Sequence, residues 1–132
     1  MQQNSQAGSA YSSSDVLDKT RIALYRQRRT GFLELIVNAY LDEAPRHLGE
    51  LRKGVAAANL DAVRMAAHTL KSSSANVGAV RLSGVLQQME SAAVKKENAT
   101  LAELLATIGG EYFAAEEALK GLLVQCRSAP AT

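Results

Sequence analysis

The sequence predicts an all-α protein: an antiparallel up-down-up-down four-helix bundle with a short additional helix at its N-terminus. Three observations carry that prediction. Through four long segments the apolar residues recur at intervals of three, four and seven, the period of one helical face. Only 2 Pro and 9 Gly punctuate 132 residues, too few for the turns of a many-stranded β fold. The apolar supply is Leu, Val, Ile and Ala with 2 Phe, 4 Tyr and no Trp, a mixture that packs well between helices. With 47% hydrophobic and 21% charged residues, the length suits one globular domain.

Residues 1–14 are Gln, Ser, Gly and Ala with little to bury, so they read as a disordered arm. Ser14 precedes Asp15-Val16-Leu17-Asp18, a helix-start composition with acids in the first turn. A short helix from about Asp15 to Arg26 would bury Leu17, Ile22 or Leu24, and Tyr25, before Thr30-Gly31 breaks it. The first long segment carries Phe32, Ile36, Ala39, Tyr40, Leu48, Leu51 and Val55, with Pro45 expected to kink it without ending it. Asn59 caps the second, which buries Val63, Ala66, Ala67, Leu70, Ser74 and Val77, and Gly78 closes it in a left-handed turn. The third repeats Leu82, Leu86, Met89 and Ala93 and stops at the polar run 95–98. Thr100 caps the fourth, whose stripe is Leu101, Leu104, Leu105, Ile108, Tyr112, Ala115, Leu119 and Leu122. Gly109-Gly110 interrupts that segment, but the periodicity resumes in phase, which favours one helix. Short connections force neighbouring helices to run antiparallel. The domain is thus expected over 15–126, with 127–132 as a flexible tail.

Composition also excludes function classes. Net charge is +2, and Arg26, Arg28 and Arg29 are the nearest approach to a basic patch, so neither nucleic acid nor an anionic membrane is the expected partner. The single Cys126 cannot form an internal disulfide, and His47 and His68 do not have metal-ligand spacing, so no metal is expected. No apolar run approaches the roughly 20 residues that cross a bilayer, and no apolar leader is present. A cytoplasmic setting is expected, and a bundle that completes its own core is expected to be a monomer. There is no Gly-rich phosphate loop and no acidic cluster suited to Mg²⁺, hence no kinase.

His68 is the informative residue. It lies one position out of phase with the buried stripe of its helix, among Arg64, Met65, Lys71 and Ser72, with Asp61 two turns back. Such a position puts an imidazole on the outer face, as a nucleophile or base accessible to solvent. The run around it is Ala67-His68-Thr69-Leu70-Lys71-Ser72-Ser73-Ser74-Ala75-Asn76-Val77-Gly78-Ala79. It resembles the signature of histidine-containing phosphotransfer (Hpt) domains, His-x-Leu-Lys-Gly-Ser-Ser-x-x-x-Gly-Ala. The preceding helix holds Leu41-Asp42-Glu43-Ala44-Pro45, similar to the acidic-Ala-Pro element of that family. The likeness extends over about Asp15 to Val124.

The resemblance implies a phosphorelay carrier that is not itself an enzyme. His68 would accept a phosphoryl group from a receiver-domain aspartate, or through a sensor-kinase relay, and pass it to another response-regulator receiver. The chain would need no cofactor of its own, Mg²⁺ being held by the receiver. Lys71, one turn from His68, would pair with phosphoryl oxygens. Ser72 stands where the family pattern has glycine; its small side chain leaves room for phosphate and the incoming receiver loop. Ser73 and Ser74 face inward, where small residues let helices approach. Gln87 and Glu90 on the next helix lie alongside the site, and Glu90, repelled by phosphate, would bond to the unmodified ring. Receivers of response regulators and hybrid sensor kinases would dock on Arg64, Met65, Ser72, Ala75 and Gln87, with Phe32 and Ile36 on the neighbouring helix. His47 matches no functional position. The alternative is a phosphate-independent helical adaptor that uses the same surface to bind a signalling partner.

Overall fold

The structure, a computed structural model, describes residues 15–28 and 31–128. The predicted N-terminal arm, Arg29, Thr30 and the last four residues of the predicted tail lie outside the described residues. The described chain forms α1 (Lys19–Arg26), α2 (Phe32–Ala56), α3 (Leu60–Asn76), α4 (Val80–Val94) and α5 (Asn98–Ser128). Each long helix packs on the next, and α5 returns to α2, closing a four-helix ring; α1 lies against α2. The pairings run antiparallel. Gly54 meets Val63 and Tyr40 meets Ser74 between α2 and α3. His68 meets Glu90 and Lys71 meets Gln87 between α3 and α4. The architecture is the predicted one.

The short N-terminal helix starts later than its acids suggested. Asp18 is the cap: its side chain accepts from the Arg21 backbone N–H at 3.2 Å. Its own N–H donates to the Gly78 carbonyl at 2.7 Å, in the α3–α4 connection. That bond holds residue 18 extended, so residues 15–17 cannot wind into the first turn. Ile22 is buried, Leu17 and Tyr25 are half-buried, and Leu24 faces outward.

In α2 the buried stripe is Leu33, Val37, Tyr40, Ala44, Leu48, Leu51 and Gly54, so its first half lies one residue later than predicted. Phe32 packs edge-on against Tyr25, with ring centroids 5.5 Å apart, and beneath the Arg28 guanidinium at 4.7 Å. These contacts draw Phe32 toward α1 and turn Leu33 inward; Ile36 and Val55 are half-buried and Ala39 is exposed. The helix continues unbroken through the exposed Pro45. Gly54 marks the closest approach of α2 and α3: a Cβ there would lie 2.9 Å from Val63 Cγ2 and 3.2 Å from its backbone nitrogen.

The predicted stripe of α3 is buried throughout, Asn59 caps the helix by accepting from the Ala62 N–H, and Gly78 takes φ +80° after it. The α4 stripe is likewise buried. In α5 the helix begins at Asn98, ahead of Thr100, because the Leu101 N–H already bonds the Glu97 carbonyl. It passes through Gly109-Gly110 and reaches Ser128, with Leu123 rather than Leu122 fully inside and Leu104 and Leu105 half-buried. No described helix is long and apolar enough to cross a membrane.

Two tyrosines distinguish paired from unpaired buried hydroxyls. Tyr40 Oη lies 2.8 Å from Ser74 Oγ inside the core. The Tyr112 hydroxyl is buried with no hydrogen-bond partner among the described residues. Burial pushes the Tyr112 phenol up, and Glu116 nearby pushes it the same way. Tyr40→Phe is expected to cost about 1–2 kcal/mol by orphaning the Ser74 hydroxyl, whereas Tyr112→Phe is expected to leave stability unchanged or raised. Urea denaturation of the two variants checks the contrast.

Candidate functional site

The site is built on the outer face of α3, opposite the residues that anchor that helix. Ala67, Leu70 and Ser74 point into the core, which turns His68, Arg64, Met65 and Ser72 outward. The His68 side chain is 60% exposed. Met65, one turn before it, is among the most exposed large apolar side chains, and Ala75 is half-buried. Ser73 is half-buried and donates back to the Leu70 carbonyl at 3.2 Å. Phe32, expected beside the site, instead packs with Tyr25, whose hydroxyl donates to the Asn76 carbonyl at 2.7 Å. Asn76 is eight residues beyond His68, about 12 Å along α3. His47 lies on α2, with Nδ1 3.2 Å from Glu50 Oε1, and contributes nothing to this cluster.

Helix α4 supplies the other half. Gln87 and Glu90 are three residues apart on the α4 face beside α3. Glu90 Oε2 lies 3.1 Å from His68 Nδ1, while Glu90 Oε1 accepts from Lys71 Nζ at 2.7 Å. Lys71 Nζ also donates to Gln87 Oε1 at 2.8 Å. One carboxylate therefore bridges the imidazole and the ammonium. The expectation for Glu90 covered only its contact with the ring. Its second contact, to Lys71, follows from the antiparallel pairing of α3 with α4.

The electrostatics order this cluster. The Lys71 hydrogen bond holds the Glu90 carboxyl below the usual carboxylate range, against partial burial, which pushes it up. An ionised carboxylate can only accept, so His68 Nδ1 donates and carries the ring proton. In the neutral ring that tautomer places the lone pair on Nε2. The ring presents a nucleophilic nitrogen on an exposed helix face, with a carboxylate behind it to balance positive charge that forms on the imidazole. Among the described residues no cluster of three or more His, Cys, Asp or Glu is placed to hold a metal ion.

The fold and the site can be set against known proteins. The chain is similar in structure to histidine-containing phosphotransfer protein B (HptB) from Pseudomonas aeruginosa PAO1, a crystal structure. The TM-score is 0.76 and the identity 23%, over 82% of this chain and 94% of that one. No curated protein matches the chain significantly. The Hpt domain family model matches residues 35–128, which take in nearly all of α2 and the whole of α3, α4 and α5. With His68 exposed on the second helix of the bundle and the family match running through it, the chain belongs to the Hpt domain family, carriers of phosphoryl groups in two-component signalling.

Proposed function

We propose that His68 is the phosphoryl-accepting residue, exchanging a phosphoryl group with receiver-domain aspartates of response regulators and hybrid sensor kinases. The observation that carries this proposal is the pairing of His68 Nδ1 with Glu90 on an exposed ring, which directs the neutral imidazole to carry its proton on Nδ1 and its lone pair on Nε2. In the transfer, the Nε2 lone pair attacks phosphorus and a nitrogen–phosphorus bond forms. The bond from phosphorus to the aspartyl oxygen breaks, and its electron pair stays on the receiver's carboxylate. The ring gains positive charge, which Glu90 faces across Nδ1–H. Passing the group on reverses the same step. Mg²⁺ belongs to the receiver in this scheme, and the chain supplies only side chains.

Met65 offers an exposed apolar contact beside the histidine, and Ser72 keeps the next turn small enough for a receiver loop to approach. Arg64, Ala75 and Gln87 complete the docking surface. The test is transfer of radiolabel from a panel of receiver domains carrying aspartyl phosphate. Label is expected to move to this chain and to be stable in alkali and labile in acid, the behaviour of a phosphoramidate. Tight binding of a receiver with no transfer of label would overturn the carrier role in favour of the adaptor.

A further inference from the structure

The unmodified site already occupies the ammonium that a phosphoryl group on His68 would need. Lys71 Nζ gives one hydrogen bond to Gln87 and one to Glu90, at 2.8 and 2.7 Å. The Lys71 and Glu90 side chains are only 22% and 19% exposed, so water screens their attraction less than it screens the outer-face pair Arg46–Glu43, where both side chains are about 60% exposed. The same carboxylate touches the ring through Oε2. A phosphoryl group arriving on Nε2 brings two negative charges toward that carboxylate. Lys71 can turn fully to the phosphoryl oxygens only by leaving Glu90.

Resting on the assignment of His68 as the acceptor, we infer that Glu90 is a positioning residue that acts through Lys71, holding the ammonium in the unmodified protein and so biasing phospho-His68 toward giving its phosphoryl group away. The ion pair stabilises the unmodified state and must be broken in the modified one, so its free energy is added to the transfer potential. Glutamine at position 90 removes the charge that holds Lys71 while keeping a carbonyl oxygen to accept from Nδ1–H. Phosphorylation of that variant has no ion pair to break. The direction of exchange is thus set beside the histidine by a residue that bonds no phosphate.

The experiment uses the full chain and the receiver domain that transfers fastest in the panel, and reads the distribution of label once exchange has reached equilibrium. Glu90→Gln, and Glu90→Ala as a second variant, are expected to raise the ratio of phospho-His68 to phosphorylated receiver about tenfold, the size of one charge-assisted hydrogen bond in a partly shielded site. In a Lys71→Met background the same substitutions are expected to give no rise, because only the contact of Glu90 with the ring, which favours the positively charged imidazole, is then lost. Partial unfolding would move label toward the receiver, the opposite direction, so a rise cannot come from lost structure. An unchanged ratio in Glu90→Gln overturns the inference. So does a rise that persists without Lys71, which would mark direct repulsion between Glu90 and phosphate. Absence of label from native chain and variants alike would instead overturn the assignment of His68.

Discussion

Phosphoryl acceptance is expected to fall to background in His68→Gln, with thermal stability close to that of the native chain. The substitution removes the ring whose Nε2 would attack phosphorus, and an amide nitrogen does not replace it as a nucleophile. It changes little else. The side chain is 60% exposed and its ring pairs with Glu90, which a glutamine amide can still reach as a donor. Exposed substitutions of this kind stay within about 0.5 kcal/mol. His47→Gln is the matched control, because the chain has only 2 histidines and the other sits on α2, paired with Glu50. Label should reach His47→Gln as fast as the native chain. Label retained by His68→Gln would place the acceptor elsewhere, and loss of label from both variants would point to damage to the bundle.

What the sequence revealed, and what it left open, divides along local and long-range physics. The histidine helix was readable almost residue by residue, because its cap, its buried stripe and the glycine after it are all local signals. At the start of α2 two stripes compete, Phe32 with Ile36 and Leu33 with Val37, and either satisfies a helical period. The choice is made by Tyr25 on α1 and Arg28 just beyond its end, which both reach Phe32. The short N-terminal helix likewise starts after Asp18 and not directly after Ser14, because the Asp18 N–H is drawn to the Gly78 carbonyl. The site shows the same division. Exposure of His68 follows from its phase within one helix. The bridge from Glu90 to Lys71 depends on how two antiparallel helices align, which no spacing within either of them states. Helix faces are local properties, whereas registers between helices are settled by the packed whole.

Leu70→Ala is expected to destabilise the protein by about 2–5 kcal/mol, the range for a fully buried leucine whose cavity cannot collapse. Leu70 is 0% exposed and sits between His68 and Lys71 in the same turn of α3, pointing the other way. It is therefore part of what holds both side chains toward α4, and its loss tests whether site and core are one cooperative unit. Met65→Ala is the informative contrast: the side chain is 61% exposed, so its loss is expected within about 0.5 kcal/mol in stability. The two variants should fail differently in transfer. Leu70→Ala should retain transfer per folded molecule in dilute urea and lose it in step with unfolding, at a lower midpoint than the native chain. Met65→Ala should keep the native midpoint and weaken only the concentration dependence on receiver. If Leu70→Ala kept the native midpoint, the inner face of α3 would not be the anchor described. If Met65→Ala transferred like the native chain at limiting receiver, the docking surface would have to lie on the other side of His68, toward Ser72 and Ala75.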